Sequence, residues 1–340
     1  VASVVEKERS CVVPREFMQF KLTPVKHTPD EWRKIDAIYI PTILSKCIGF
    51  DGFYQDLQKF ARNVIVIGNS NSAITLPDSV LSLLGSADEF AQGFETFHHD
   101  LIGMKSSNNP SLVHSVSYDL PAKRNFALCH ARKNGFTEVM LLDDDIYIEE
   151  RMFRKAVYLL SEGFSMVGFY VLDFPDISTI DHINRITTEK KTGVSVAANC
   201  ILIKVPDVRG FFPYVYNEDW HFIYVSNFHV RKAAAGTAYQ LPHRPWLQRG
   251  RVAFEQFGDV LAAGIKRNLI SSREPLEGER HFWSLIRDEY SQLLDSLLSH
   301  SSISRTHLKA VVEAKAALDL FGVDDLLKFI QSYVKEIEGV

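Results

Sequence analysis

The chain is poor in cysteine, and the few it has are not arranged for chemistry. Cys11, Cys47, Cys129 and Cys200 are scattered over 340 residues, with no spacing of a metal site among them. They lie mostly in segments that read as core, which fits reduced structural thiols and a cytoplasmic location. There is no apolar run of about 18 residues, the length that a membrane-crossing helix needs, and no signal-peptide pattern, so a soluble chain without a transmembrane segment is expected. Val1 is not an initiator Met, so the true start can lie upstream. Long basic runs are also missing. With 38 Lys and Arg against 42 Asp and Glu, a net charge of −4 and a pI near 6.3, nothing points to a nucleic-acid partner. A Gly-rich loop bearing Arg and Lys, which would cradle a triphosphate, is absent after Ile40, and this argues against nucleotidyl transfer.

What is present is an ordinary globular composition, 46% hydrophobic and 24% charged, in a chain long enough to bury a large core. The informative stretch is Glu138 to Ile146. Val139, Met140, Leu141 and Leu142 read as a short strand buried on both faces of a parallel sheet, and Asp143, Asp144 and Asp145 follow at once. Three adjacent carboxylates repel one another, so a compensating positive group is expected. Hard oxygen ligands at the carboxyl end of such a strand suit Mg²⁺ or Mn²⁺.

The segment before that strand sharpens the reading. Pro121 marks the first turn of a helix with Ala122, Phe126 and Cys129 at helical spacing, and Gly135 supplies a left-handed cap on which Phe136 can pack back. Within the helix Lys123, Arg124 and Asn125 stand together. A basic helix feeding an apolar strand that ends in Asp-x-Asp resembles the nucleotide-sugar-dependent glycosyltransferases of the GT-A fold, in particular their large, mostly inverting family two. Glu218-Asp219-Trp220, further along, matches the acceptor-side motif of inverting members. These motifs and their flanking strands cover about residues 35–260.

The resemblance implies an α/β fold of GT-A type: Rossmann-like, doubly wound and mostly parallel. It implies a nucleoside diphosphate sugar donor, with UDP-sugar favoured, and a small-molecule or glycan acceptor. Asp145, Asp143 and His243 would hold Mn²⁺ or Mg²⁺, and Asp219, with Glu218 the less favoured candidate, would be the general base. Thr42, Asn69, Ser70, Lys123, Arg124, Asp143 and Asp144 fall on the nucleotide side, and Arg124 is preferred over Lys123 because a guanidinium suits a diphosphate. Asp144 should point away from its two neighbours, since alternate residues of an extended segment face opposite sides. In the loop after the second strand the family has an acidic pair where this chain has Asn69 and Ser70, and an Asn amide can donate to and accept from a base edge.

Three segments are expected: an extended lead-in over 1–34, a catalytic domain over 35–270 and a helical appendage over 271–340. Strands are expected over 35–42, 64–67, 112–116, 164–171, 194–203 and 233–241. Helices are expected over 52–62, 77–84, 152–160 and 254–270, and residues 181–193 read as a polar excursion. Asn217 is placed to cap a helix that starts with the acid pair, whose positive end would favour their charge. Trp220 can face a sugar ring or fill the core. The amphipathic stripes after 280 pack on the catalytic domain or on another subunit, so a homo-oligomer formed through them is one outcome. A retaining glycosyltransferase and a non-catalytic metal- or carbohydrate-binding module are the competing readings.

Overall fold

The computed structural model describes residues 21–22, 33–42, 53–69, 79–86, 90, 119–172, 178–189, 196–241, 245–247, 250–271, 273–274, 276 and 278–338. Among them nine strands form one sheet. In chain order these are β1 (Lys21–Leu22), β2 (Ile35–Pro41), β3 (Ala61–Asn69), β4 (Leu81–Gly85), β5 (Glu138–Leu142), β6 (Ile146–Tyr147), β7 (Met166–Leu172), β8 (Val196–Lys204) and β9 (Lys232–Gln240). The sheet order is β1-β9-β7-β8-β5-β2-β3-β4, with β6 paired to β9. All neighbours run parallel except β8, which is reversed between β5 and β7, and the short β6. The α/β, mostly parallel expectation holds. Because β8 alone is reversed in the long path, the carboxyl ends of β2, β3, β5, β7 and β9 and the start of β8 share one edge.

The strand residues alternate between two cores, one on each face. Ala37, Tyr39, Val139 and Leu141 enter the core covered by α2 (Asp119–Lys133), α6 (Arg251–Ile270) and the C-terminal helices. Ile38, Ile40, Met140 and Leu142 enter the other, covered by α1 (Phe53–Phe60) and α3 (Glu150–Ser161). A parallel sheet covered on both faces needs unbroken apolar strands, and β5 is buried along its whole length.

α2 ends as its sequence dictates. Gly135 takes φ 68°, its N–H donates to the Arg132 carbonyl at 3.1 Å, and the Phe136 N–H reaches back to the Ala131 carbonyl at 2.9 Å, a Schellman closure. That reversal turns the chain straight into β5.

Several segments depart from the expected structure. Residues 81–84, expected to end a helix over 77–84, belong instead to edge strand β4, where Leu81 and Leu84 are about half exposed. A short apolar run fits either period, and here the backbone ladder to β3 decides. The segment expected as a polar excursion holds α4 (Thr179–Thr188), capped by the Ser178 side chain accepting from the Asp181 N–H at 3.2 Å. The expected strand over 112–116 lies outside the described residues. In the lead-in, β1 adds itself beside β9. The helices α7 (Arg280–Leu298), α8 (Arg305–Leu318) and α9 (Val323–Glu338) bury Trp283, Leu294, Val311, Leu318, Phe329 and Tyr333 in the same core as β2 and β5. Their apolar stripes are thus covered by their own chain.

Candidate active site

β5 delivers the acidic triplet to the edge where the carboxyl ends gather. The Asp143 N–H donates to the Asn199 carbonyl of β8 at 2.8 Å, the Ile146 N–H closes a turn onto the Asp143 carbonyl at 3.2 Å, and the chain then crosses to β9. Each carboxylate leaves this turn toward a different partner. Asp144 accepts from the Thr42 hydroxyl at 2.6 Å, at the end of β2. Asp145 accepts from Gln240 Nε2 at 2.9 Å, at the end of β9. Asp143 accepts from Arg124 Nη2 through both oxygens, at 2.9 and 3.2 Å.

Arg124 then links the triplet to the second acidic motif. Its Nη1 donates to Glu218 Oε1 at 2.5 Å, so one guanidinium bridges Asp143 and Glu218. It is 3% exposed. Burial works against its charge, but Asp143, Glu218 and Asp219 outweigh this and hold it protonated. Lys123 is also fully buried; its Nζ donates to the Thr42 carbonyl at 2.5 Å and to Asp119 at 2.6 Å. Both cations therefore turn inward from α2, whereas the buried face read from apolar spacing leaves Phe126 and Cys129 only half buried. α2 meets the core through the buried Ala122, Ala127, Leu128 and Ala131, and ion pairing brings Lys123 and Arg124 inward beside them.

The Glu218-Asp219-Trp220 motif occupies a single α turn, α5 (Glu218–Trp220), that continues as a π turn over His221–Ser226. π turns inside helices frequently mark functional sites. Asn217 does not cap it: its backbone is left-handed, and its side chain makes no bond to the turn. Glu218 is buried, whereas Asp219 is partly exposed and accepts from the Ala198 N–H at 3.2 Å and the Trp220 N–H at 3.0 Å. Trp220 is 3% exposed and packs against Tyr224, as a core residue does.

The electrostatics are those of a site with too much negative charge. Two buried cations, Lys123 and Arg124, share this edge with Asp119, Asp143, Asp144, Asp145, Glu218 and Asp219. Burial raises Asp143 to about 6, with Asp145 and Asp219 adding to it and Arg124 opposing. Burial raises Glu218 to about 7, again against Arg124. Asp144, Asp145 and Asp219 are pushed up by burial as well, so burial outweighs any help from the short helix end at Asp219.

Among the described residues no three His, Cys, Asp or Glu side chains gather into a ready cation cage. His243 and Ser70 lie outside those residues, as do Arg244 and Arg249. The donors that are present, Asp143 and Asp145, fit a cation that takes one or two carboxylates and completes its shell with water and substrate phosphate oxygens. Asn69 ends β3, near Thr42 at the end of β2, and its Oδ1 is buried without a partner, as are Asn199 Oδ1 and Arg124 Nε. A buried donor or acceptor left unsatisfied costs about 1–3 kcal/mol, so the two Asn oxygens suit a ligand donor and the Arg124 Nε–H suits a ligand acceptor.

Sequence reasoning missed Asn199 and Gln240. Each is a polar residue in a strand of small and apolar ones, and that interruption was the available signal. No helix among the described residues is long and apolar enough to cross a membrane.

No protein-family model matches the chain, and no curated protein matches it in sequence. Among solved structures, glucosyl-3-phosphoglycerate synthase from Mycobacterium tuberculosis is similar. Its complex with Mn²⁺, UDP and glucosyl-3-phosphoglycerate aligns at TM-score 0.44 and 11% identity over 74% of this chain and 88% of that one. Its complex with Mn²⁺, UDP and phosphoglyceric acid aligns at TM-score 0.40 and 10% identity over 71% and 79%. A likeness at this level leaves the reading of the site to its own geometry.

Proposed function

We propose that the chain is a metal-dependent glycosyltransferase of GT-A type that moves a sugar from a nucleoside diphosphate sugar, UDP-sugar being favoured, to an acceptor hydroxyl by inverting displacement. One observation carries the reading: Arg124 bridges the Asp-x-Asp strand end to the Glu218–Asp219 turn, so a carboxylate pair fit for a cation and a carboxylate fit for a base share one site. A module that only binds metal has no use for the second.

Asp145 and Asp143 would hold Mn²⁺ or Mg²⁺, with His243 as a further ligand. The cation, when bound, offsets the acidic excess and stabilises charge developing on the departing nucleotide. The buried Asn69 acceptor suits an N–H of the base, and Thr42 stands beside it, bonded to Asp144 and Lys123. Lys123 and Arg124 act on the nucleotide indirectly, by fixing Thr42, Asp144 and Asp143. Asp219 is the better base because it is partly open to an acceptor, whereas Glu218 is committed to Arg124. As the acceptor oxygen attacks the anomeric carbon, its proton passes to an Asp219 oxygen.

A screen of nucleotide sugars by mass spectrometry tests this, since slow donor hydrolysis can proceed without an acceptor. Metal-dependent release of UDP or GDP from one donor class is the expected result, and no release from any donor with Mn²⁺ or Mg²⁺ would contradict the proposal. Retention at the anomeric carbon of a transfer product would move the enzyme to the retaining class.

A further inference from the structure

The residue before the acid pair is held from behind. Asn217 has φ 59°, one of two non-glycine residues with positive φ among those described. Asparagine tolerates this better than most residues, but such a backbone persists only where its surroundings fix it. Two contacts do so. Gly258 of α6 lies so close to the preceding peptide that a Cβ there would fall 2.1 Å from the Tyr216 carbonyl oxygen. Asn217 Nδ2 donates to Asp259 Oδ1 at 2.9 Å, and the Tyr290 hydroxyl donates to Asp259 Oδ2 at 2.8 Å. All three side chains are buried. The Trp220 N–H in turn donates to the Asn217 carbonyl at 3.0 Å, so the turn carrying Glu218 and Asp219 begins on the tethered residue.

We propose that Tyr290 and Asp259 are positioning residues for the transfer reaction: through Asn217 they fix the Glu218–Asp219 turn, and the C-terminal helix α7 thereby takes part in catalysis. The inference rests on Asp219 as the acceptor-side base. It gives α7 a role beyond packing, because a hydroxyl on that helix sets a backbone conformation at the reacting edge. A cavity of about 340 Å³ is lined by Asp259, Tyr290, Asp181 and Lys266, so the link borders open space into which Tyr290 can move once its bond is lost.

Tyr290→Phe removes one hydroxyl and little volume, and Asn217→Gly keeps a left-handed backbone while removing the tether. Both should lower kcat for donor turnover by roughly 10–100-fold, the scale of a small misplacement, with donor KM and Mn²⁺-dependent UDP affinity within about twofold of the parent. Hydrogen exchange should quicken over 217–226 and stay unchanged in β5. Asp259→Asn, which preserves shape and one acceptor oxygen, should retain more turnover than Asp259→Ala. Unchanged kcat in Tyr290→Phe, or unchanged exchange over 217–226, would overturn the inference. A parent protein lacking metal-dependent UDP binding would sink the glycosyltransferase reading instead, and the exchange result would still decide whether Tyr290 holds the acid pair.

Discussion

Arg124→Met isolates the electrostatic centre of the site. Methionine replaces most of the arginine's aliphatic volume, so the change chiefly strands Asp143 and Glu218, whose side chains are 21% and 8% exposed. Removing one partner of a buried ion pair costs about 3–5 kcal/mol. At ~2.1 cal/mol/K of unfolding entropy per residue over 340 residues, that is a fall in Tm of about 4–7 °C near neutral pH.

The pH dependence identifies the cause. In the parent, Glu218 stands at about 7 against an ordinary 4.5, and Asp143 at about 6 against 3.8. Folded values above unfolded ones mean that the folded chain binds more protons across this range. The stability these two groups contribute is therefore fully present below ~pH 4 and is lost as pH rises toward 7. Without Arg124 both carboxyls rise further, so the penalty should be small near ~pH 5, where they are protonated, and largest near ~pH 8. Arg124→Lys should not restore stability, because one ammonium cannot bridge two carboxylates as a guanidinium does. Urea unfolding of the three proteins across pH measures this. A penalty that is the same at both ends would show that Arg124 contributes packing alone and would refute the charge argument.

Two further outcomes follow from the same geometry. Asp219→Asn should reduce donor turnover by about 10²–10⁴-fold while metal-dependent UDP affinity is kept; steady-state kinetics with near-parental turnover would remove Asp219 as the base. Mn²⁺ should raise Tm by more near ~pH 7.5 than near ~pH 5.5, because protons compete with the cation for Asp143; scanning fluorimetry showing the reverse order would exclude Asp143 as a ligand.

The parts of the fold that could be read in the sequence are those set by neighbours in the chain. β5 and its acidic end, the Gly135 cap with Phe136 behind it, and the places of β2, β3, β7, β8 and β9 in the chain follow from local periodicity and turn chemistry. The capping Ser178 and Asp181 of α4 were equally local, a Ser-x-x-Asp start obscured by the polar residues around it. Other features come from pairings between distant residues. Arg124 meets Glu218 across 94 positions, and Asn217 meets Asp259 across 42. No spacing rule predicts that two adjacent cations on α2 both turn inward: Lys123 pairs with Asp119 one turn back on its own helix but is buried against the Thr42 carbonyl at the end of β2, and Arg124 is buried against Asp143 and Glu218 from a strand end and a distant turn. The left-handed Asn217 is likewise a tertiary product, tethered to Asp259 of α6 and through it to Tyr290 of α7, and the π turn after Trp220 packs on α9, where Tyr333 meets Ser226 and His221. Beside the site, Asn199 and Gln240 acquire meaning only when the reversed β8 and the end of β9 place them against Asp143 and Asp145.

Binding of a nucleoside diphosphate through a metal at this edge of the sheet is what the proposed chemistry requires first. Isothermal calorimetry of UDP into the parent protein and into Asp145→Asn, each with and without Mn²⁺, measures this directly. The parent should bind UDP at least about tenfold more tightly with Mn²⁺, a coupling of about 1.4 kcal/mol, and Asp145→Asn should lose that gain while keeping its fold. UDP affinity that is the same with and without the metal in the parent, or equal metal dependence in Asp145→Asn, would contradict it.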